Sequence, residues 1–425
     1  MRVELLTIGD ELLLGFTLDT NGPFLSRALA AMGITVAHRA SVGDDAESVA
    51  RAVREALART GAVITTGGLG PTSDDRTREA IAEVFGRPLV RDEAIVAALQ
   101  DLWQRRGLGT TLPASNLQQA MVPEGATVLA NRHGSAPGLW VEDATQRWVA
   151  MLPGVPREMR GMWTDTLEPR LRARLADSAT GTTATVVRSR TVRTTGISES
   201  KLADDLGELA RGVHGLPLAY LPGYEGVDLR VTASGFAADE ADRRLHAAAD
   251  ALAAVAGSHV YGYDDTDLAA VVLQRCRDRG LKLAVAESCT GGMLGMRLTA
   301  VPGSSDVLLG GLIAYDNLVK VTQLGVRAAD LAEHGAVSEI VATRMAASVR
   351  VKLGADIGIG ITGIAGPGGG SDEKPVGTVW VAADLGGKVR TLRRILPGDR
   401  HEVRQRAAQM ALDLVRRGLD HASES

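Results

Sequence analysis

Cysteine is nearly absent from this chain: Cys276 and Cys289 are the two present in 425 residues. Two thiols build neither a disulfide framework nor a cysteine zinc site. Aromatic residues are sparse at 3%, which disfavours the wide stacking surfaces that bind single-stranded nucleic acid. No apolar run approaches the roughly 20 residues of a membrane-spanning helix. The opening "MRVELLTIGDELLLG" lacks the basic region, long apolar core and small-residue cleavage site of a signal peptide. The simplest expectation is a cytoplasmic protein with no membrane partner. An excess of positive charge is missing too. The chain has 47 Lys and Arg against 51 Asp and Glu, a net charge of −4, with only local basic pairs such as Arg393–Arg394 and Arg416–Arg417. Direct nucleic-acid binding is therefore disfavoured.

What is present is ordinary for a soluble globular protein: 45% hydrophobic and 23% charged residues. The length exceeds one typical core and predicts two or three domains. Residues 1–170 alternate strand and helix signals, from "RVELLTIG" and "TNGPFLSRALAAMG" through "GAVITTGG" and "SDDRTREAIAEVFG". Repeated βαβ units predict a three-layer α/β domain, a mostly parallel sheet with helices on both faces. Residues 171–256 read as a small α+β module without a catalytic-looking cluster, a spacer or dimerisation unit. It contains the Thr/Val-rich strand "TTATVVRSRTVRTTG" and a helix in "SESKLADDLGELA" opened by a serine. Residues 257–425 read as a second α/β domain. Leu268, Val271, Val272 and Cys276 share one helix face there, which makes Cys276 a core residue.

Chemistry concentrates at "AESCTGG", residues 286–292, where an apolar strand turns sharply into a helix. Glycines after the corner permit close backbone approach, and free N–H groups at a helix start can hold an oxyanion. Ser288 or Thr290 can instead serve merely as a helix cap. A serine nucleophile needs a base. His259, His334, His401 and His421 form no recognisable hydrolase pattern, whereas "AYDNLVK" brings Tyr315 and Lys320 at the end of what reads as a buried strand. Burial lowers a lysine pKa, so its neutral amine can accept a serine proton. Cys289 as nucleophile would want a paired histidine, and only His401 is a remote candidate.

In order, "AESCTGG", "AYDNLVK", "GITGIAGPGGG" and "PGDRHEVR" resemble the nicotinamide-nucleotide amidase domain of the competence/damage-inducible protein A (CinA) family, over most of residues 258–420. The resemblance implies hydrolysis of nicotinamide mononucleotide to nicotinate mononucleotide and ammonia, without a metal or other cofactor. It implies Ser288 as nucleophile, Lys320 as general base and Tyr315 as proton relay, with Thr362 orienting the carboxamide or Lys320. Gly291, Gly292 and Gly363 would line the substrate. Arg400 would bind its phosphate, since a planar fork suits phosphate, with Arg404 as the fallback.

In the front domain, "TTGGLGPTSDDRT" supplies a glycine turn followed by carboxylates at a helix start, and "GDELLLGFTLDTN" adds more acids at the end of the first strand. Glycine N–H groups favour phosphate. Carboxylates beside it would oppose an anion unless a divalent cation bridges them, although Asp19, Asn21 or Asp74 can also act as helix caps. With "LPGVPREM", these motifs resemble the molybdopterin-binding fold in the version fused to the amidase. That likeness implies metal-dependent cleavage of ADP-ribose to AMP and ribose 5-phosphate with cobalt or magnesium. It implies phosphate binding by Gly67, Gly68, Gly70 and Thr72, and metal binding or pyrophosphate chemistry at Asp10, Asp19 and Asp75. Molybdopterin binding is the alternative for this half, and a non-catalytic competence or DNA-damage partner the alternative for the whole. A homodimer is also expected.

Overall fold

The computed structural model describes residues 1–177 and 185–421. Its contacts divide into two units, residues 1–188 with 234–241, and residues 189–233 with 242–425.

The first unit contains eight strands: β1 (Arg2–Ile8), β2 (Thr35–Val42), β3 (Ala62–Thr66), β4 (Leu89–Arg91), β5 (Met121–Pro123), β6 (Thr127–Leu129), β7 (Gly138–Glu142) and β8 (Trp148–Leu152). Six form one sheet in the order β2-β1-β3-β8-β7-β6, while β4 and β5 pair separately. The strands β2, β1, β3 and β8 are parallel; β7 and β6 add antiparallel at one edge. β3 and β8 are buried along their whole length, as parallel strands covered on both faces must be. One core layer joins Val49, Val53, Ile81 and Leu99 to the sheet, and the other joins Leu25, Leu29, Met162 and Leu171. The chain leaves β1 toward β2 and leaves β3 toward β8, so the strand order reverses between β1 and β3. Ligands gather beyond the carboxyl ends at such a point.

The helix after the glycine turn begins at Thr77, later than "SDDRTREAIAEVFG" suggested, so Asp74 and Asp75 stand in the turn and not in the helix. The turn persists because Asp75 accepts from the Gly70 and Thr72 amides at 2.7 and 2.9 Å. A side chain so engaged holds the backbone out of helix.

In the second unit a four-stranded sheet runs β10 (Leu218–Pro222), β11 (Val227–Phe236), β9 (Val186–Thr194) and β12 (Val260–Tyr263). Of the expected strand "TTATVVRSRTVRTTG", residues 182–184 lie outside the described residues. The fourth strand comes from beyond residue 256: β12 pairs antiparallel with β9. Ser198 caps the helix Glu199–Leu206 by accepting from the Lys201 amide, as its sequence signal indicated.

The remaining sheet has the order β14 (Leu308–Ile313), β13 (Leu283–Glu287), β15 (Ile357–Gly363), β16 (Thr378–Leu385) and β17 (Lys388–Ile395). Its first three strands are parallel and its last two antiparallel. Helices Leu268–Asp278 and Arg400–His421 cover one face through Val272, Cys276, Val403 and Ala411; helices Asn317–Leu324 and Glu339–Leu353 cover the other through Leu324, Val341 and Met345. Each fully buried aliphatic side chain contributes about 1.5–3 kcal/mol. β14 differs from the expectation of a buried strand. It is an edge strand whose residues are half-buried or exposed, and Gly310 and Gly311 leave it with little side chain to bury.

Candidate active sites

β13 is the central parallel strand of its sheet, and Glu287 stands opposite Ile313 on one side and Ile361 on the other. The residues that follow Glu287, Ile313 and Ile361 therefore emerge together. They are Ser288, then Ala314 and Tyr315, then Thr362 and Gly363.

Ser288 is almost buried, at 8% exposure. Its amide donates to the Ile361 carbonyl at 2.9 Å and its carbonyl accepts from the Gly291 amide at 3.0 Å. Its hydroxyl hydrogen-bonds no protein group among the described residues. Gly291 and Gly292 follow at φ +58° and +93°, the left-handed region that a side chain resists. Glu287, which the sequence reading passed over, secures the corner. Its buried carboxylate accepts from the amides of Gly292 (3.0 Å), Leu294 (3.1 Å) and Gly295 (2.8 Å).

This corrects the expectation that the helix start offers its free N–H groups to an oxyanion. Glu287 already takes three of them, and the Gly291 and Met293 amides bond to Ser288 and Thr290 carbonyls. Among the described residues the Cys289 and Thr290 amides are left without a backbone or carboxylate acceptor. The one acidic residue in "AESC", Glu287, is the signal for this, because a buried carboxylate next to a helix start finds amide donors there.

Lys320 lies one turn into the helix Asn317–Leu324 and is 1% exposed. Its Nζ donates to the Tyr315 carbonyl at 2.9 Å. Burial draws its pKa below the usual lysine value, against the opposing pull of Asp316 and Cys289. The tyrosine thus meets the lysine through its backbone and not its hydroxyl. The Tyr315 ring is exposed, and its hydroxyl accepts from Arg400 Nη2 at 2.6 Å. Arg400 Nη1 donates to the Gly366 carbonyl at 2.8 Å.

Thr362 is buried, and its hydroxyl donates to the Ala336 carbonyl at 2.8 Å; it bonds neither Lys320 nor Ser288. Gly363 is required by packing, since a Cβ there would lie 2.8 Å from the Thr378 carbonyl and 3.1 Å from Cys289 Sγ. Arg404 closes its guanidinium fork on the Thr290 carbonyl at 2.7 and 3.1 Å, so it braces the turn. Cys289 is 5% exposed within the core cluster, and burial pushes its thiol up to about 12. A thiol held protonated is a poor nucleophile.

In the first unit a cavity of about 440 Å³ lies beyond the carboxyl ends of β1, β3 and β8, and Gly67, Gly68, Gly70, Asp19 and Asp75 line it. Gly67 sits at φ +104°, where a Cβ would meet the Ile8 carbonyl at 2.1 Å. Buried Arg78 donates to the Leu69 and Gly70 carbonyls at 2.7 and 2.9 Å and fixes that loop. Thr72 is exposed, with its amide on Asp75. Asp19 accepts from the Gly22 amide at 2.9 Å.

Asp10 is not among the lining residues. It is tied to Asp44, which is, by reciprocal backbone-to-carboxylate bonds of 3.0 and 3.3 Å. Burial, with the negative charges of Asp10, Glu11 and Asp74, raises the Asp44 pKa despite the Asp10 amide. Among the described residues no three His, Cys, Asp or Glu side chains converge on one metal position, so Asp10, Asp19 and Asp75 are not a preassembled trio. Asn21, buried beside the cavity, donates to the Gly154 carbonyl at 2.7 Å, while its Oδ1 has no partner among the described residues.

Among the described residues no helix is long and apolar enough to cross a membrane.

Residues 265–419 match the family described as CinA C-terminal domain. Residues 4–173 match "Probable molybdopterin binding domain", and 189–262 match the damage-inducible protein CinA KH domain. A CinA-like protein of Gemmatimonas aurantiaca is 61% identical over 419 residues, 99% of this chain and 96% of the relative. Another, from Chlorobaculum tepidum, is 42% identical over 97% of each. Among solved structures, the competence damage-inducible protein A of Klebsiella pneumoniae is 38% identical, covering 36% of this chain and 96% of that one, with a TM-score of 0.36. The molybdopterin biosynthesis enzyme MoaB of Thermus thermophilus is 25% identical, covering 41% and 94%, with a TM-score of 0.28.

Proposed function

Because the chain belongs to the CinA-like family, with a molybdopterin-binding-like domain in front, we propose that its rear domain is a Ser–Lys amidase acting on nicotinamide mononucleotide. The observation that carries this reading is Lys320, a lysine withdrawn from water within electrostatic reach of Cys289, the residue after Ser288, with its pKa lowered. In that state the neutral Nζ accepts the Ser288 Oγ proton as Oγ attacks the carboxamide carbon. The ammonium so formed returns the proton to the departing nitrogen, and ammonia leaves an acyl-serine. Water then attacks the acyl carbon, Lys320 takes its proton, and Ser288 Oγ recovers it as nicotinate mononucleotide departs.

The Tyr315 carbonyl orients Lys320. The Cys289 and Thr290 amides are the corner donors left for the oxyanion, and Arg400, beside Tyr315, suits the substrate phosphate. Ammonia release from nicotinamide mononucleotide tests the reading: the protein is expected to release it with chelator present. Cys289→Ala should keep the rate within about threefold, since its thiol stays protonated. No ammonia, or loss with Cys289→Ala alone, overturns the assignment.

For the front domain the reading is metal-dependent hydrolysis of ADP-ribose to AMP and ribose 5-phosphate. Asp44 supports a cation here: it lines the cavity near Asp10, Glu11 and Asp74, and burial first, then those charges, raise its carboxyl. Since no three carboxylates converge, cobalt or magnesium would be held between one or two of Asp19, Asp44 and Asp75 and the ligand's phosphates, with Asp10 positioning Asp44. The cation would neutralise pyrophosphate charge, and the Gly67–Gly70 loop would take the phosphates. The unpartnered Asn21 Oδ1 suits a hydroxyl donor of the ligand.

Molybdopterin binding is the second reading, favoured by the family match over residues 4–173. AMP release is expected with cobalt or magnesium and to stop with EDTA. Asp44→Asn should lower it at least about tenfold at limiting metal. Molybdopterin binding without any AMP release would favour the second reading. A homodimer, testable by sedimentation, is proposed for the whole chain.

A further inference from the structure

Within the second unit, away from the serine corner, a cavity of about 660 Å³ opens between the 195–198 and 224–226 loops and the end of β17 with the helix Arg400–His421. Its size falls within the range of small-molecule sites. Its walls are tied together by buried polar bonds. Gln409 donates to Thr195 Oγ1 at 3.1 Å and accepts from Arg297 at 2.7 Å, and Arg416 reaches the Ser258 and Val260 carbonyls. The cavity is therefore a built feature of the fold and not a loose seam.

The charges inside do not cancel. Its two carboxylates are both engaged: Glu225 pairs with Arg297 at 2.9 Å and with Arg193, and Asp413 takes Arg416 and Arg417. Two further guanidinium groups line the cavity without an acidic partner. Arg394 is exposed and, among the described residues, bonds only the Arg393 carbonyl. Arg406 lies 5.7 Å over the Tyr224 ring, and its buried Nε has no acceptor. Two uncompensated planar forks call for an anion, and a buried donor without an acceptor calls for a ligand oxygen. Tyr224, Ile395 and Met410 add an aromatic and aliphatic wall suited to a flat ring.

We infer that this cavity is a second ligand site, for a mononucleotide-sized phosphate ester carrying a planar ring, with Arg394 and Arg406 on the phosphate and the Tyr224 wall on the ring. Neither amide hydrolysis nor the front domain needs it, so it stands or falls apart from the functions proposed above.

The test uses the full chain with Ser288→Ala, so that no amide chemistry intervenes, and adenosine 5′-monophosphate as probe. Hydrogen–deuterium exchange is followed in peptides covering 224–226 and 394–397. The nucleotide is expected to slow exchange there, adenosine is not, and added salt should weaken the effect. Arg394→Gln with Arg406→Gln should raise the apparent Kd for that protection at least about tenfold, and Tyr224→Leu should weaken it with both arginines intact. Unchanged exchange in those peptides at millimolar nucleotide overturns the inference. So does equal protection in the double variant, or stronger protection by a single-stranded RNA oligomer, which would make the surface a nucleic-acid site.

Discussion

Ser288→Ala is expected to lower ammonia release from nicotinamide mononucleotide by about four orders of magnitude or more, because the proposed mechanism uses its oxygen as the attacking atom. Lys320→Met should lower kcat by about 10²–10⁴-fold, the usual worth of a positioned base. The wild-type kcat/KM should rise with pH through the lowered lysine pKa, since the neutral amine is the active form, and then level off. The same burial has a stability consequence with a definite sign. The folded-state pKa of Lys320 lies below its unfolded value near 10.4. Between those two values the unfolded chain binds the extra proton, so wild-type stability rises with pH across that window. Lys320→Met has no such term. Its Tm should exceed that of wild type by a margin that widens as pH falls from about 10 toward the folded-state pKa. Inactivity with a flat, unshifted Tm difference would mean that the amine is not desolvated as the structure has it.

Glu287→Ala is expected to be the most destabilising single change at the serine corner. It removes one carboxylate and strands three buried or half-buried amides, those of Gly292, Leu294 and Gly295. Breaking buried charged partnerships costs about 3–5 kcal/mol. Glu287→Gln keeps one carbonyl acceptor and should cost about 1–2 kcal/mol. Urea midpoints give the stability change, and exchange rates of the three amides localise it. In the alanine variant those amides should exchange faster by about two orders of magnitude or more. Wild-type exchange at Gly292, Leu294 and Gly295 in Glu287→Ala would show that something other than this carboxylate holds the turn.

The βαβ order of both α/β domains was legible because a parallel strand covered on both faces must be a short apolar run, and the helices between must carry a one-sided apolar stripe. "GAVITTGG" and "LKLAVAES" are such runs, and they are β3 and β13. Edge strands escaped that logic. β14 is interrupted by glycines and partly exposed, while β7 and β6 add antiparallel to an otherwise parallel sheet. The start of the helix at Thr77 was misjudged because Asp75 bonds the turn amides. A sequence shows that aspartate only as a residue compatible with a cap.

That polar corners follow apolar strands at "AESCTGG", "AYDNLVK" and "TTGGLG" is readable along the chain, since hydrophobic runs, glycines and chain order are local properties. So are the motifs by which the family is recognised. Which partner each polar group meets is set by the folded packing. Glu287 folds back onto the amides that an oxyanion would have used, Arg404 braces a carbonyl, Tyr315 touches Lys320 through its backbone, and Asp44 joins the front carboxylates in place of a lining Asp10. Arg404–Thr290 and Asp10–Asp44 join residues 114 and 34 positions apart, and even the five-residue pairs Glu287–Gly292 and Lys320–Tyr315 depend on how the chain turns; composition and spacing along the chain do not contain those distances.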